Sequence, residues 1–110
     1  MNNDLIEAFV TKADGDVVRV NAIDKSCKEQ LSKLGFAFDE EFKEYTLQVS
    51  GNRGKADLFD KIRALGWGFS SGREWCPAEV FRYLRDSGFI SGAFKMISWT
   101  GPGDYTVTVL

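Results

Sequence analysis

The side chains in this chain that could do chemistry are aromatic and basic. Trp75, Arg73, Arg53 and Lys55 lie within one stretch of sequence, with Trp67 just ahead of the first two. If Ser71-Gly72 makes a two-residue turn, Trp67 and Phe69 share one face of a hairpin and Trp75 lies over Gly68 on the other. Both faces then carry large aromatics, and a helix layer can bury only one of them. The exposed set, rimmed by Arg73, Arg53 and Lys55, could stack the bases of a single-stranded nucleic acid. It could equally anchor a protein partner, because Trp, Tyr and Arg dominate interface hot spots. The competing reading packs Trp75 on the C-terminal strands as a core residue.

A second candidate is acidic. Asp39, Glu40 and Glu41 form the tip of an expected hairpin, where consecutive acids either protect a sheet edge or offer a docking patch to a basic partner. A phosphate loop is excluded at Gly51-Asn52-Arg53-Gly54-Lys55-Ala56. Its glycines are too close together, and Ala56 stands where a magnesium-binding hydroxyl belongs. Gly54 and Lys55 near a helix start, with Arg53 beside them, could at most hold one anion.

The chain contains no histidine. That removes the commonest general base and metal ligand, and with it every Ser-His or Cys-His pair. Cys27 and Cys76 are too far apart for a local metal motif and are expected to be buried thiols. No acid-base pair, nucleophile or cofactor loop emerges, so the expectation is a non-enzymatic protein that takes no cofactor and no metal.

These side chains must be positioned by short elements. Leu5–Val10 and Val17–Val20 are β-prone runs around the turn signal Asp14-Gly15. Asp24 offers an N-cap, Cys27, Leu31 and Leu34 share a helical face, and Gly35 suits a left-handed cap, predicting a helix over 25–34. Phe36-Ala37-Phe38 and Tyr45–Val49 form a hairpin. Leu58, Ile62, Leu65 and Gly66 repeat the helix and its cap, and Trp67–Phe69 with Glu74–Cys76 repeats the hairpin. Pro77 begins a third helix that stops at Gly88. Phe94–Trp99, a Gly101-Pro102-Gly103 turn and the alternating Tyr105–Val109 complete the chain. The expected fold is α+β, an antiparallel sheet of β-hairpins with three short helices on one face, in the order ββ-αββ-αββ-αββ. Residues 1–110 form a single domain with an internal helix-hairpin repeat over 24–49 and 54–76.

That repeat, a helix, then Leu-Gly, then an aromatic hairpin and a basic-x-aromatic pair, resembles a small domain found on plasmid primases and antirestriction proteins. The matching positions are Lys25, Lys28, Leu34, Gly35, Phe38, Asp39, Lys43 and Tyr45 in the first copy. In the second they are Leu65, Gly66, Phe69, Arg73, Trp75 and Pro77. Phe36 and Trp67 stand where the family has a small residue, and the first helix is about one turn longer than the family spacing. The resemblance implies a mobile-element setting and transfers no catalytic residue.

Composition sets the outer bounds. At 110 residues with 44% hydrophobic and 14% aromatic content, the chain can bury one aromatic-heavy core. No apolar run is long enough to span a membrane, and Met1–Asp4 lacks the pattern of a signal peptide, so a cytoplasmic protein is expected. The net charge of −2 argues against a general nucleic-acid coat. The acidic groups are concentrated in the first 45 residues, which leaves a slight positive excess behind them. The leading expectation is a small binding protein acting through protein–protein contacts. One fitting setting is a phage or plasmid accessory factor, or inhibitor, docking on a nucleic-acid-handling partner. A single-stranded nucleic-acid module built on the second hairpin is the alternative. An unpaired edge at Leu5–Val10 or Tyr105–Leu110 leaves monomer and edge-paired homodimer both open.

Overall fold

The Leu-Gly-aromatic phrase turns out to be a helix-ending device, and the third helix ends in the same way with Ser87-Gly88-Phe89. In the computed structural model, which describes residues 7–72, 74–101 and 104–110, helix α1 (Cys27–Leu34) is closed by Gly35 at φ +99°. The Phe36 N–H then reaches back to the Leu31 carbonyl at 3.0 Å. Helix α2 (Gly51–Ala64) ends the same way: Gly66 has φ +81° and the Trp67 N–H donates to the Ile62 carbonyl at 3.3 Å. Helix α3 (Pro77–Asp86) repeats it at Gly88, with the Phe89 N–H on the Leu84 carbonyl at 2.9 Å. Each cap uses a left-handed glycine to satisfy orphan carbonyls, and the next aromatic folds back against the helix it terminates.

Beyond the caps the three segments differ. After α1 the chain makes the expected hairpin, β3 (Ala37–Asp39) and β4 (Glu44–Gln48). After α2 it makes a lone strand, β5 (Gly68–Ser70), and the predicted second hairpin is absent. Trp75 meets Gly72 in a single isolated bridge before Pro77 opens α3. Strands β1 (Ala8–Lys12) and β2 (Val17–Ala22) form the first hairpin, and β6 (Lys95–Gly101) and β7 (Asp104–Val109) the last. The element order is therefore ββ-αββ-αβ-αββ.

All seven strands join one sheet in the order β3-β4-β2-β1-β5-β6-β7. The fold is α+β as expected, but the sheet is mixed. Strand β5 runs parallel to both neighbours, with Phe9 beside Gly68 and Phe69 beside Met96. A three-residue strand buried on both faces suits such a central slot. Gly68 is required there: a Cβ at this position would sit 2.9 Å from the Ile97 Cδ1 and 3.3 Å from the Lys95 carbonyl oxygen.

The three helices share one apolar cluster with one face of the sheet, containing Val10, Val18, Val20, Leu31, Ile62, Trp67 and Phe69. Its centre is aromatic. Phe81 stacks on Phe94 at 4.0 Å and on Phe59 at 5.2 Å, while Phe69 meets Phe59 and Phe81 edge-on at 4.9 and 5.0 Å. The opposite face is uncovered by helices and carries a smaller cluster in which Phe9 and Ile97 are buried under Tyr105 and Val107. Helix α2 begins at Gly51, so Gly51–Arg53, expected as a loop, already belongs to its first turn. Leu5, Ile6, Arg73, Pro102 and Gly103 lie outside the described residues. Among the described residues, no helix is long and apolar enough to cross a membrane.

Candidate binding face

The residues singled out from sequence do not converge. Trp67 is only 2% exposed and Trp75 6%. Both serve the helix-covered core, and the Trp75 indole N–H is satisfied by the Ser70 carbonyl at 2.9 Å. Neither stands out as an exposed aromatic, because the hairpin that was to present them does not form, although an edge of Trp67 still lines a cleft. Arg53 and Lys55 are two residues apart on α2, which points them to opposite sides of the helix. The Arg53 guanidinium lies 5.6 Å from the Phe89 ring. Lys55 instead borders a groove with Asp14, Asn52, Glu79 and Tyr83. Desolvation pulls its ammonium below the usual lysine value, against the opposing pull of Asp14 and Asp16. Arg73 lies outside the described residues.

Two of the C-terminal cations, Arg63 and Arg85, are used within the fold. Arg63 donates to the Ser91 and Ala93 carbonyls at 2.8 and 3.0 Å, and Arg85 to those of Gly92 and Leu110 at 2.6 and 3.1 Å. Both guanidiniums also lie over the Phe81 ring. They peg the segment between α3 and β6 and form no basic stripe.

The acidic tip is split by its own geometry. Asp39 accepts the Glu41 and Phe42 amide N–H groups at 2.9 and 3.4 Å and faces Arg19 at 3.3 Å. Desolvation opposes its ionisation, but the two amides and Arg19 outweigh it and hold the carboxyl below the usual aspartate value. Asp39 thus shapes the turn, and only Glu40 and Glu41 remain as exposed acids on it.

The surface that does assemble is the helix-free face. Strand alternation and the register put Phe9, Thr11, Arg19, Asn21, Glu44, Ser70, Ile97, Trp99, Tyr105 and Val107 on it. Its β1-β5-β6-β7 half is apolar and its β2-β4-β3 half polar. Trp99, 44% exposed, stands on β6 within the apolar half and is held from three sides. Phe9 packs edge-on at 5.4 Å, Tyr105 edge-on at 5.3 Å, and the Ser70 hydroxyl accepts the indole N–H at 2.9 Å.

Beside Trp99 lies a groove of about 290 Å³, lined chiefly by Phe9, Thr11, Asn21, Glu44 and Ser70. Glu44 is 2% exposed, and the Arg19 guanidinium lies 4.0 Å from its carboxylate. Arg19 is covered in turn by the Phe42 ring at 4.9 Å. A fixed, half-exposed indole beside a sunken carboxylate is suited to a group that is both flat or aliphatic and cationic, such as a lysine or arginine side chain. A wider cleft of about 740 Å³, bounded by Glu7, Asp24, Lys25, Leu65, Trp67 and Lys95 among others, opens near the ends of α1 and α2. Charges of both signs line it.

Sequence reasoning missed Trp99, Glu44, Arg19 and Phe9 as site residues. The alternation of Tyr105-x-Val107-x-Val109 placed those residues on one face, and Trp99 was read only as part of a strand. Which face the helices would leave open was not readable. Among the described residues, no group of three or more Cys, Asp or Glu side chains is placed to hold a metal ion. Comparison with protein-family models, with curated proteins and with solved structures finds no match.

Proposed function

We propose that this protein is a non-enzymatic binding module that docks a protein partner on the helix-free face of its sheet, with a lysine or arginine of the partner seated against Trp99 and Glu44. The observation that carries the reading is the immobilised Trp99. An anchor side chain already held by Phe9, Tyr105 and Ser70 loses little entropy on binding. Charge supports a basic partner through Glu40 and Glu41, which project from the turn at the far end of the same half-sheet, while the Glu44 carboxylate in the groove already faces Arg19. A phage or plasmid accessory factor, or inhibitor, acting in the cytoplasm on a nucleic-acid-handling protein is the setting we favour, because such partners present the lysines and arginines this face would take.

Panning a displayed random-peptide library against the full chain tests this. Clones that bind the wild type but not Trp99→Ala or Glu44→Gln should be enriched in Lys and Arg. Clones that bind the wild type and both variants equally, or that carry no basic bias, would overturn the reading.

A single-stranded nucleic acid is the second reading, and Trp99 with Tyr105 is the observation that favours it, since such a pair could stack bases on an open sheet. The near balance of charge, with Lys12, Arg19 and Lys95 set against Asp39, Glu40, Glu41 and Glu44, counts against it. Salt-sensitive quenching of Trp99 by a mixed-sequence oligonucleotide would promote it over the first.

A further inference from the structure

The two edges of the sheet are finished differently. Strand β3 is three residues long and stops at Asp39 and a charged turn, which blunts it against further pairing. Strand β7 has six residues, Asp104-Tyr105-Thr106-Val107-Thr108-Val109, with no lysine, proline or glycine among them. Among the described residues, no helix or strand lies over its outer edge. Thr106 and Thr108 are exposed on the helix side, and Val109 is 66% exposed on the other.

The ladder to β6 fixes which backbone groups of β7 point outward. Lys95 lies opposite Val109, and the Leu110 N–H donates to the Phe94 carbonyl at 3.0 Å. The even-numbered residues of β7 therefore bond inward to β6, and Val107 and Val109 turn their N–H and C=O away from it.

From this geometry we propose that β7 pairs with β7 of a second copy of the chain, antiparallel, about a two-fold axis through Val107. In that register Val107 lies opposite Val107 of the second copy, and the two exchange N–H···O=C bonds. The register is self-complementary at each position. Val109 meets Tyr105 on the helix-free side, Thr106 meets Thr108 on the helix side, and Asp104 meets Leu110, so no like charges face each other. A shift of the axis by one residue would centre it on Thr106 or Thr108, whose backbone groups are already committed to β6. Pairing of one strand buries less than the ~1,200 Å² of a standard stable interface, so the dimer is weak and concentration-dependent. It would join the two helix-free faces into one surface.

Sedimentation velocity on the full chain across a range of concentrations, together with cysteine cross-linking, tests the proposal. The wild type should pass from monomer to dimer as concentration rises. Val107→Lys, which sets two ammonium groups directly opposite each other, should move the midpoint upward by at least ~10-fold while circular dichroism stays native. In a Cys76→Ser background, Val107→Cys should cross-link under mild oxidation, because hydrogen-bonded partners have Cα atoms ~5.5 Å apart, within disulfide range. Thr106→Cys should not, since its equivalents are offset by two positions. The cross-linking pair keeps the proposal testable even if Val107→Lys fails to fold. A wild type that stays monomeric throughout, a dimer unaffected by a folded Val107→Lys, or cross-linking at Thr106 in place of Val107 would each overturn it.

Discussion

On the face beneath the helices, Phe59, Phe69, Phe81 and Phe94 close into a buried aromatic cluster, whereas on the opposite face the buried hydrophobic cluster among the described residues is Phe9 and Ile97, and Trp99 stays 44% exposed. The sheet takes part in both: Phe69 of β5 joins Phe59 of α2 and Phe81 of α3 on one side, and Phe9 of β1 meets Ile97 of β6 on the other. One face has the area to hold the chain folded, since burial is the dominant favourable contribution. The other has a cluster just large enough to fix the orientation of Trp99. Stability and recognition are thereby assigned to opposite sides of one layer, and substitutions on the two sides should fail in different ways.

The largest effect is expected at Phe81, which touches three aromatic rings and is fully buried. Phe81→Ala should cost ~3–5 kcal/mol in urea denaturation, a large part of the ~5–15 kcal/mol a domain usually has. A loss below ~1 kcal/mol would mean the aromatic cluster is not the centre of stability.

Gly68→Ala comes next, with ~1–3 kcal/mol expected from overpacking against Ile97. Combining it with Ile97→Ala should give less than the sum of the two single losses. The Lys95 carbonyl stays close, so the rescue is incomplete. Strict additivity would contradict the close approach that separates the two faces.

A smaller contribution depends on pH. Burial, reinforced by Glu7 and Asp24, pushes the Cys27 thiol up to about 11. An unfolded chain ionises this thiol at lower pH than the folded one. Its contribution is therefore intact below the ordinary thiol value and is lost as pH rises through about 11. Melting temperatures followed across that window should fall more steeply for the wild type than for Cys27→Ala; equal slopes would remove Cys27 as the cause.

The smallest effect on stability should come from Trp99→Ala, ~1 kcal/mol or less by denaturation, although the same change should abolish peptide capture. A Trp99→Ala variant that unfolds would show that the open face also carries the fold.

The sequence made local features legible and left the long-range ones hidden. The three Leu-Gly or Ser-Gly helix ends, the Asp14-Gly15 turn and the periodicity of α1 to α3 depend on neighbouring residues, and each was visible as a pattern. The fate of Trp67–Trp75 depended on a slot between β1 and β6, which no local pattern encodes. The two copies of the repeat share a cap and then diverge, because Gly68 and Phe69 are taken by a central parallel position while Pro77 commits the chain to α3. The candidate site inherited this error. With their hairpin assumed, Trp67 and Trp75 fell on opposite faces and one of them had to stay open; the core reading of Trp75 is the one the burial favours, and Trp99 gained its role from the strand order alone.

That order also sets a sequence of events in time. The β1-β2, β3-β4 and β6-β7 hairpins join segments that are close along the chain and can form early. Strand β5 must find β1 across more than half the chain, and β6 across the whole of α3. Its insertion closes the largest loops and joins two preformed half-sheets, so it belongs to the late, rate-limiting part of folding. Destabilising changes in β5 should therefore slow refolding, whereas those confined to the β3-β4 hairpin should mainly speed unfolding.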